Sequence, residues 1–223
     1  MNRLALFDLD RTLTDRDLLF REWAASFSTR HGLPTEAIEL LVEQDADGYG
    51  DKAEMFAAVV EHFGASVQVS SEVDAFFADF VARHRVTDSV RSSLEKLRAA
   101  GWRIGIVTNG SPTQLDKIDA AGLVELVDGV TVSDIEGVRK PHRELFAIAA
   151  SRAGGSLEGG WMVGDNPEAD IRGGADAGMT TVWLPLGRSW PLADLHPDHI
   201  AESVPDAIAL MLDLPADREH DRR

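Results

Sequence analysis

The spacing of apolar and polar residues changes along this chain. Arg3 to Phe7 contains the apolar run Leu4-Ala5-Leu6-Phe7, which stops at Asp8. A run of that length ending in carboxylates predicts a buried strand with polar groups at its C-terminal edge. From about Asp15 to Arg85 the period becomes helical, with breaks at Gly32-Leu33-Pro34, at Gly48-Tyr49-Gly50 and between Gly64 and Ser71. That stretch predicts four helices and no strand. Phe56, Val59, Val60 and Phe63 share one helical face, and Ser71 with Asp74 predicts a capping box ahead of Phe76, Phe77 and Phe80.

After Thr87, helix and strand alternate. A helix with Val90, Leu94 and Leu97 on one face precedes a strand over Trp102 to Val107. Further strands are expected near Val127 to Val132, Trp161 to Val163 and Thr180 to Leu184. Helices are expected near 112–121, 141–153, 167–177 and 205–212. This alternation implies an α/β fold, a parallel sheet with helices on both faces. The expected organisation is a core of residues 1–14 and 86–215, a helical insertion at 15–85, and a charged, frayed tail at 216–223.

Composition narrows the chemistry. The 223 residues, 44% hydrophobic, suffice for a soluble core plus an insertion. There is no cysteine, which excludes disulfides, thiolate metal sites and a cysteine nucleophile, and the seven histidines show no zinc-site spacing. A net charge of −16, from 38 acidic and 22 basic residues, argues against a nucleic-acid partner. The N-terminal apolar run is broken too early for a signal peptide, and no later run would span a bilayer. No membrane partner and a cytoplasmic location are therefore expected, while monomer and homodimer both stay open.

Four polar clusters carry the candidate chemistry. Asp8 and Asp10 are two apart at a strand end, so both side chains point the same way and repel unless a cation or a proton intervenes. Those states serve metal binding and general acid catalysis, although the run through Thr12 also suits an Asx-type turn. Thr108-Asn109-Gly110 leads into Ser111 as N-cap, Pro112 as first helical residue and Gln114 as reciprocal capping partner. Helix-start amides beside the Thr108 hydroxyl suit a phosphate oxygen, and equally an ordinary strand-to-helix turn.

Lys140, one of four lysines, precedes Pro141, which is expected to hold it extended and to open the next helix. Alone it reads as a solvated surface charge. In the fourth cluster, Gly164 and Asp165 follow an apolar strand, with Asn166 and Pro167 suited to cap the next helix. Asp170 complements that helix dipole or, with Asp8 and Asp165, completes an oxygen cage for a hard cation. All four clusters lie where a strand gives way to a loop or helix, and a parallel sheet brings such points to one edge.

In this order Asp8-Leu9-Asp10-Arg11-Thr12, Thr108-Asn109-Gly110, Lys140-Pro141 and Gly164-Asp165 through Asp170 resemble the four motifs of the haloacid dehalogenase superfamily. The likeness spans essentially the whole chain. It takes in Leu13-Thr14-Asp15 and the helix over Gly173 to Met179, and departs at Arg11, where relatives carry a small or neutral residue. It implies a Rossmann-like core with an inserted helical cap of the C1 type, and Mg²⁺-dependent hydrolysis of a small phosphorylated metabolite.

On that resemblance Asp8 is the nucleophile that forms an aspartyl-phosphate, and Asp10 protonates the leaving alcohol and then deprotonates water. Lys140, Thr108, Asn109 and Gly110 hold phosphate oxygens, and Mg²⁺ is bound by Asp8, the Asp10 carbonyl and Asp165. Asp170, Asn166 and Thr12 support these groups. Tyr49 and Lys52, expected to reach outward from the cap loop, are candidate substrate contacts. Dehalogenases and phosphonatases of the superfamily lack an acid at the Asp10 position. A sugar phosphomutase keeps it, and a phosphate-ligand binding module with this fold is the non-enzymatic alternative.

Overall fold

A computed structural model describes residues 3–213, so the charged tail expected at 216–223 lies outside the described residues. The chain divides into two compact units, one formed by the chain up to Thr14 and from Val86 onward, the other by Asp15–Arg85. The first unit opens with β1 (Leu4–Phe7). The second holds α1 (Arg16–Arg30), α2 (Glu36–Asp45), α3 (Lys52–Phe63) and α4 (Val69–Ala82). The first then resumes with α5 (Asp88–Ala99), β2 (Arg103–Thr108), α6 (Thr113–Ala120), β3 (Gly129–Val132), α7 (Ser133–Glu136) and α8 (Arg143–Ala153). It ends with β4 (Trp161–Gly164), a π-helical turn over Pro167–Arg172 running into α9 (Gly173–Asp176), β5 (Thr180–Trp183), β6 (His199–Ile200) and α10 (Val204–Asp213).

The sheet of the first unit is the expected parallel one, in the order β3-β2-β1-β4-β5-β6. β1 lies inside it, with Phe7 in register with Ile106 on β2 and Val163 on β4. All four β1 residues are buried because both faces of the sheet are covered, which is why the sequence shows an unbroken apolar run. Leu4 and Leu6 pack with Leu145, Phe146 and Ala149 of α8, and Ala5 and Phe7 with Leu94 and Leu97 of α5 and Ile208 of α10. The winding runs outward from β1 through β2 to β3, then restarts on the other side at β4. A reversal of this kind opens a crevice at the carboxyl ends of the strands beside it.

Local details depart from the sequence reading. β6 was not anticipated, since two residues are too few to show a period. Ser71 does not cap α4: the helix starts two residues earlier at Val69, and the Ser71 hydroxyl turns back to Gln68 Oε1 at 3.3 Å. Pro141 does not open α8, which begins at Arg143. Instead Lys140 and Pro141, joined by a cis peptide bond, form a turn closed by the His142 N–H on the Arg139 carbonyl at 2.9 Å.

In the helical unit Leu19, Phe20, Trp23 and Phe27 of α1 meet Leu41 of α2, Phe56 and Val59 of α3, and Phe76 and Phe80 of α4. Trp23 stands edge-on to Phe76, with ring centroids 4.7 Å apart. Asp45 is buried and takes two hydrogen bonds from Arg16, at 2.7 and 3.0 Å, with the Lys52 ammonium 2.8 Å away. Lys52 therefore does not reach outward as expected: a buried carboxylate draws it in, and it also donates to the Gly50 carbonyl at 2.8 Å. Tyr49 in the same loop is 76% exposed. No helix among the described residues is long and apolar enough to cross a membrane.

Candidate active site

Asp8 follows directly on β1, and its N–H continues the ladder onto the Val163 carbonyl at 3.0 Å. The loop after it folds back on buried Leu9, whose carbonyl accepts from the N–H groups of Thr12 at 3.4 Å and Thr14 at 3.0 Å. Arg11 sits in that loop at φ 65°, a conformation Gly or Asn adopts at less cost, and its Nε lies 3.7 Å from Asp165 Oδ2. Thr12 is buried beside it.

Lys140 is 4% exposed, far from the solvated charge that an isolated lysine suggests. Its three ammonium protons go to Asp8 Oδ1 at 2.6 Å, Asp170 Oδ1 at 2.6 Å and the Val107 carbonyl at 2.9 Å. Asp170 is fully buried, and its second oxygen accepts from the Asn166 N–H at 3.0 Å. It lies tight against β4 because residue 164 is glycine; a Cβ there would overlap the Asp170 carboxylate. Asn166 caps its turn through Oδ1, which accepts from Glu168 and Ala169.

Oxygens of Asp8, Asp165 and Asp170 lie within 4.8 Å of one another. Burial pushes the Asp8 carboxyl well above the usual carboxylate range; Lys140 opposes that shift while Asp170 and Asp165 add to it. Burial also disfavours the Lys140 ammonium, but Asp170 and Asp8 outweigh it and hold the lysine protonated. Asp165 is raised to about 6 by burial first and Asp170 second, against Arg188 and Arg11. An all-oxygen, buried, mutually repelling set of this kind fits a hard divalent cation.

The second cluster is arranged differently from the sequence reading. The Asn109 side chain clasps the Lys140 backbone, accepting from its N–H at 2.9 Å and donating to its carbonyl at 3.1 Å. The Gly110 N–H, expected to meet a phosphate oxygen, donates to the Ser133 hydroxyl at 3.0 Å. Gln114 is not a capping partner: α6 starts at Thr113 without a side-chain cap. Its amide nitrogen instead donates to Thr108 Oγ1 at 2.8 Å and to Asp10 Oδ2 at 3.1 Å, and Lys117 Nζ donates to that same Asp10 oxygen at 2.6 Å.

Thus Asp8, Asp10, Thr108, Lys140, Asp165 and Asp170 come together at the C-terminal edge of one sheet, while Tyr49 and Lys52 belong to the helical unit. The sequence reading missed Gln114 and Lys117 as partners of Asp10: their i, i+3 spacing puts them on one face of α6 but does not say what that face meets. It also missed Arg188, which donates to Asp165 Oδ2 and to the Asp165 carbonyl, both at 2.8 Å. Trp183 donates to that carbonyl as well, at 2.9 Å.

The family described as haloacid dehalogenase-like hydrolase matches residues 3–178. The chain is 33% identical over 203 residues to a glyceraldehyde 3-phosphate phosphatase of Pyrococcus abyssi, covering 84% of this chain and 83% of that protein. Among solved structures, a HAD phosphatase from Thermococcus onnurineus superposes with a TM-score of 0.62 at 23% identity, covering 95% of this chain and 98% of that one. L-2-haloacid dehalogenase from Xanthobacter autotrophicus gives 0.70 at 18% identity, over 96% and 100%. The last two likenesses concern the fold, which phosphatase and dehalogenase share.

Proposed function

We propose, from the premise that this chain belongs to the haloacid dehalogenase-like hydrolase family, that it is a phosphatase cleaving a small phosphomonoester by way of a phosphoryl group carried on Asp8. The observation that carries this reading is Asp10, a second carboxyl group in the Asp8 loop, held on one oxygen by Gln114 and Lys117. Displacement of an alcohol from phosphorus calls for an acid at that place; displacement of a halide from carbon does not.

In the first half-reaction an Asp8 oxygen bonds to phosphorus as the bond from phosphorus to the substrate oxygen breaks, and that oxygen takes a proton from Asp10. Water then attacks the phosphorus of the aspartyl-phosphate, gives a proton to Asp10 and releases phosphate from Asp8. Lys140 fixes the Asp8 carboxylate and sets a positive charge beside the transferring group, and the Thr108 hydroxyl at the end of β2 is a further candidate donor to its oxygens. Asp8, Asp165 and the Asp10 carbonyl would hold a divalent cation, which we take to be Mg²⁺. Once bound it offsets the repulsion between an anionic nucleophile and an anionic phosphate. Asp170, Asn166 and Asn109 keep Lys140 and its loop in place.

The likeness to a glyceraldehyde 3-phosphate phosphatase over most of the chain supports a three-carbon sugar phosphate as substrate. We assign residues 15–85 the role of a cap, with exposed Tyr49 as its candidate substrate contact. The test is a panel of glyceraldehyde 3-phosphate, phosphoserine, a nucleoside monophosphate, a sugar bisphosphate and 2-chloropropionate, each with and without Mg²⁺. Release of inorganic phosphate, fastest from the triose phosphate and only with the cation, is expected. Halide release from 2-chloropropionate, or phosphoryl transfer between sugars without release, would overturn the assignment.

A further inference from the structure

We infer that Lys117 and Gln114 are positioning residues that aim Asp10 at the leaving-group oxygen and so govern how well the enzyme expels a poor leaving group. The inference rests on the reading of Asp10 as the acid of the first half-reaction.

Asp10 lies on a loop and gets no fixed direction from the β1 ladder, whereas proton transfer in the transition state needs heavy atoms within roughly 2.6–3.2 Å. Gln114 and Lys117 are three residues apart on α6 and therefore share a face. Both donate to the same atom, Asp10 Oδ2, from 3.1 and 2.6 Å. Two donors on one oxygen fix the carboxyl plane and with it the direction of the other oxygen.

The reach of each donor is built into the fold. A Cβ at Gly110 would sit 2.8 Å from Gln114 Cγ, so only glycine lets Gln114 lie across the turn. The second proton of the Gln114 amide goes to Thr108 Oγ1 at 2.8 Å, which ties Asp10 to the end of β2. The Lys117 side chain is 12% exposed, unusual for a lysine on a helix whose outer face is open to water. Lys117 thus links α6 to the loop after β1.

The consequence is selective. When phosphorus passes to Asp8, an alkoxide leaving group needs the Asp10 proton, while a nitrophenolate departs without it. kcat/KM reports only the steps through the first irreversible one, here phosphoryl transfer to Asp8, so later hydrolysis of the aspartyl-phosphate does not enter.

The experiment compares kcat/KM for glyceraldehyde 3-phosphate and 4-nitrophenyl phosphate in wild type, Lys117→Met, Lys117→Arg and Gln114→Met, and for Asp10→Asn the second-order rate constant of its single phosphorylation by each ester, with thermal melts of each. Lys117→Met is expected to lose roughly tenfold to a hundredfold on the alkyl ester and no more than about threefold on the aryl ester, given what general acid catalysis contributes. Lys117→Arg is expected to restore most of the alkyl activity. Equal losses on both esters in Lys117→Met would overturn the inference, as would an unchanged ratio in Gln114→Met should the lysine variant not fold. If Asp10→Asn itself loses equally on both esters, the failure lies with the acid role of Asp10. If it discriminates and the α6 variants do not, the failure lies with the positioning.

Discussion

The Lys140 ammonium donates to Asp8 Oδ1 at 2.6 Å, joining two buried residues 132 positions apart in the chain. The same ammonium holds Asp170, so one cation balances two buried carboxylates. Removing one partner from such a group leaves charge buried without compensation.

Lys140→Met is accordingly expected to lower stability by about 3 kcal/mol near neutral pH and to reduce kcat/KM at least about a hundredfold. Lys140→Arg keeps the charge, but its planar fork replaces a compact three-proton donor and is expected to recover little of the activity. Thermal melts and phosphate release check both variants. Near-native activity in Lys140→Met would remove the lysine from the chemistry.

Asp165 gives a pH dependence whose sign follows from burial. Its carboxyl is raised to about 6 in the folded protein, from the ordinary 3.8, so between those values the folded state binds more protons than the unfolded chain. Stability of the metal-free protein should therefore fall as pH rises through about 6, by on the order of 3 kcal/mol from this group, with Asp8 shifted in the same direction. A divalent cation favours the ionised form, so the rise in melting temperature on adding Mg²⁺ should be larger at pH 7.5 than at pH 5. An equal shift at both pH values, or none at either, would contradict a metal site at Asp8 and Asp165.

Much of this arrangement was legible because it is local. The Leu4-Ala5-Leu6-Phe7 run is apolar on both faces because β1 is covered on both, and Asp8 marks where that cover ends. Asp165 could be read in the same way from the end of β4, and Asp170 from the first turn that follows it. Contacts that span the chain left weaker traces. Ser111-Pro112-Thr113-Gln114 has the composition of a capping box, and nothing nearby reveals that the Gln114 side chain crosses 104 positions to Asp10. Arg188 is one basic residue in a loop until the sheet brings it to Asp165.

Charge that looks exposed in sequence proved hardest to read. Lys52 follows a flexible Gly-Tyr-Gly loop and suggests a side chain open to water, yet the buried Asp45 carboxylate holds it. Lys140 reads alone as a surface lysine and is among the most buried polar groups of the first unit. In both cases the deciding partner is a carboxylate whose own burial the local pattern does not show.

The most direct test of a covalent role for Asp8 uses Asp10→Asn with 4-nitrophenyl phosphate and Mg²⁺. Nitrophenolate needs no proton to depart, whereas hydrolysis of the aspartyl-phosphate needs the Asp10 base, so the phosphorylated enzyme should accumulate. A burst of about one equivalent of nitrophenolate per protein is expected, with mass spectrometry of the acid-quenched sample placing the phosphoryl group on Asp8. Absence of both the burst and phosphorylated Asp8, in a preparation whose wild type turns over, would contradict Asp8 as the nucleophile.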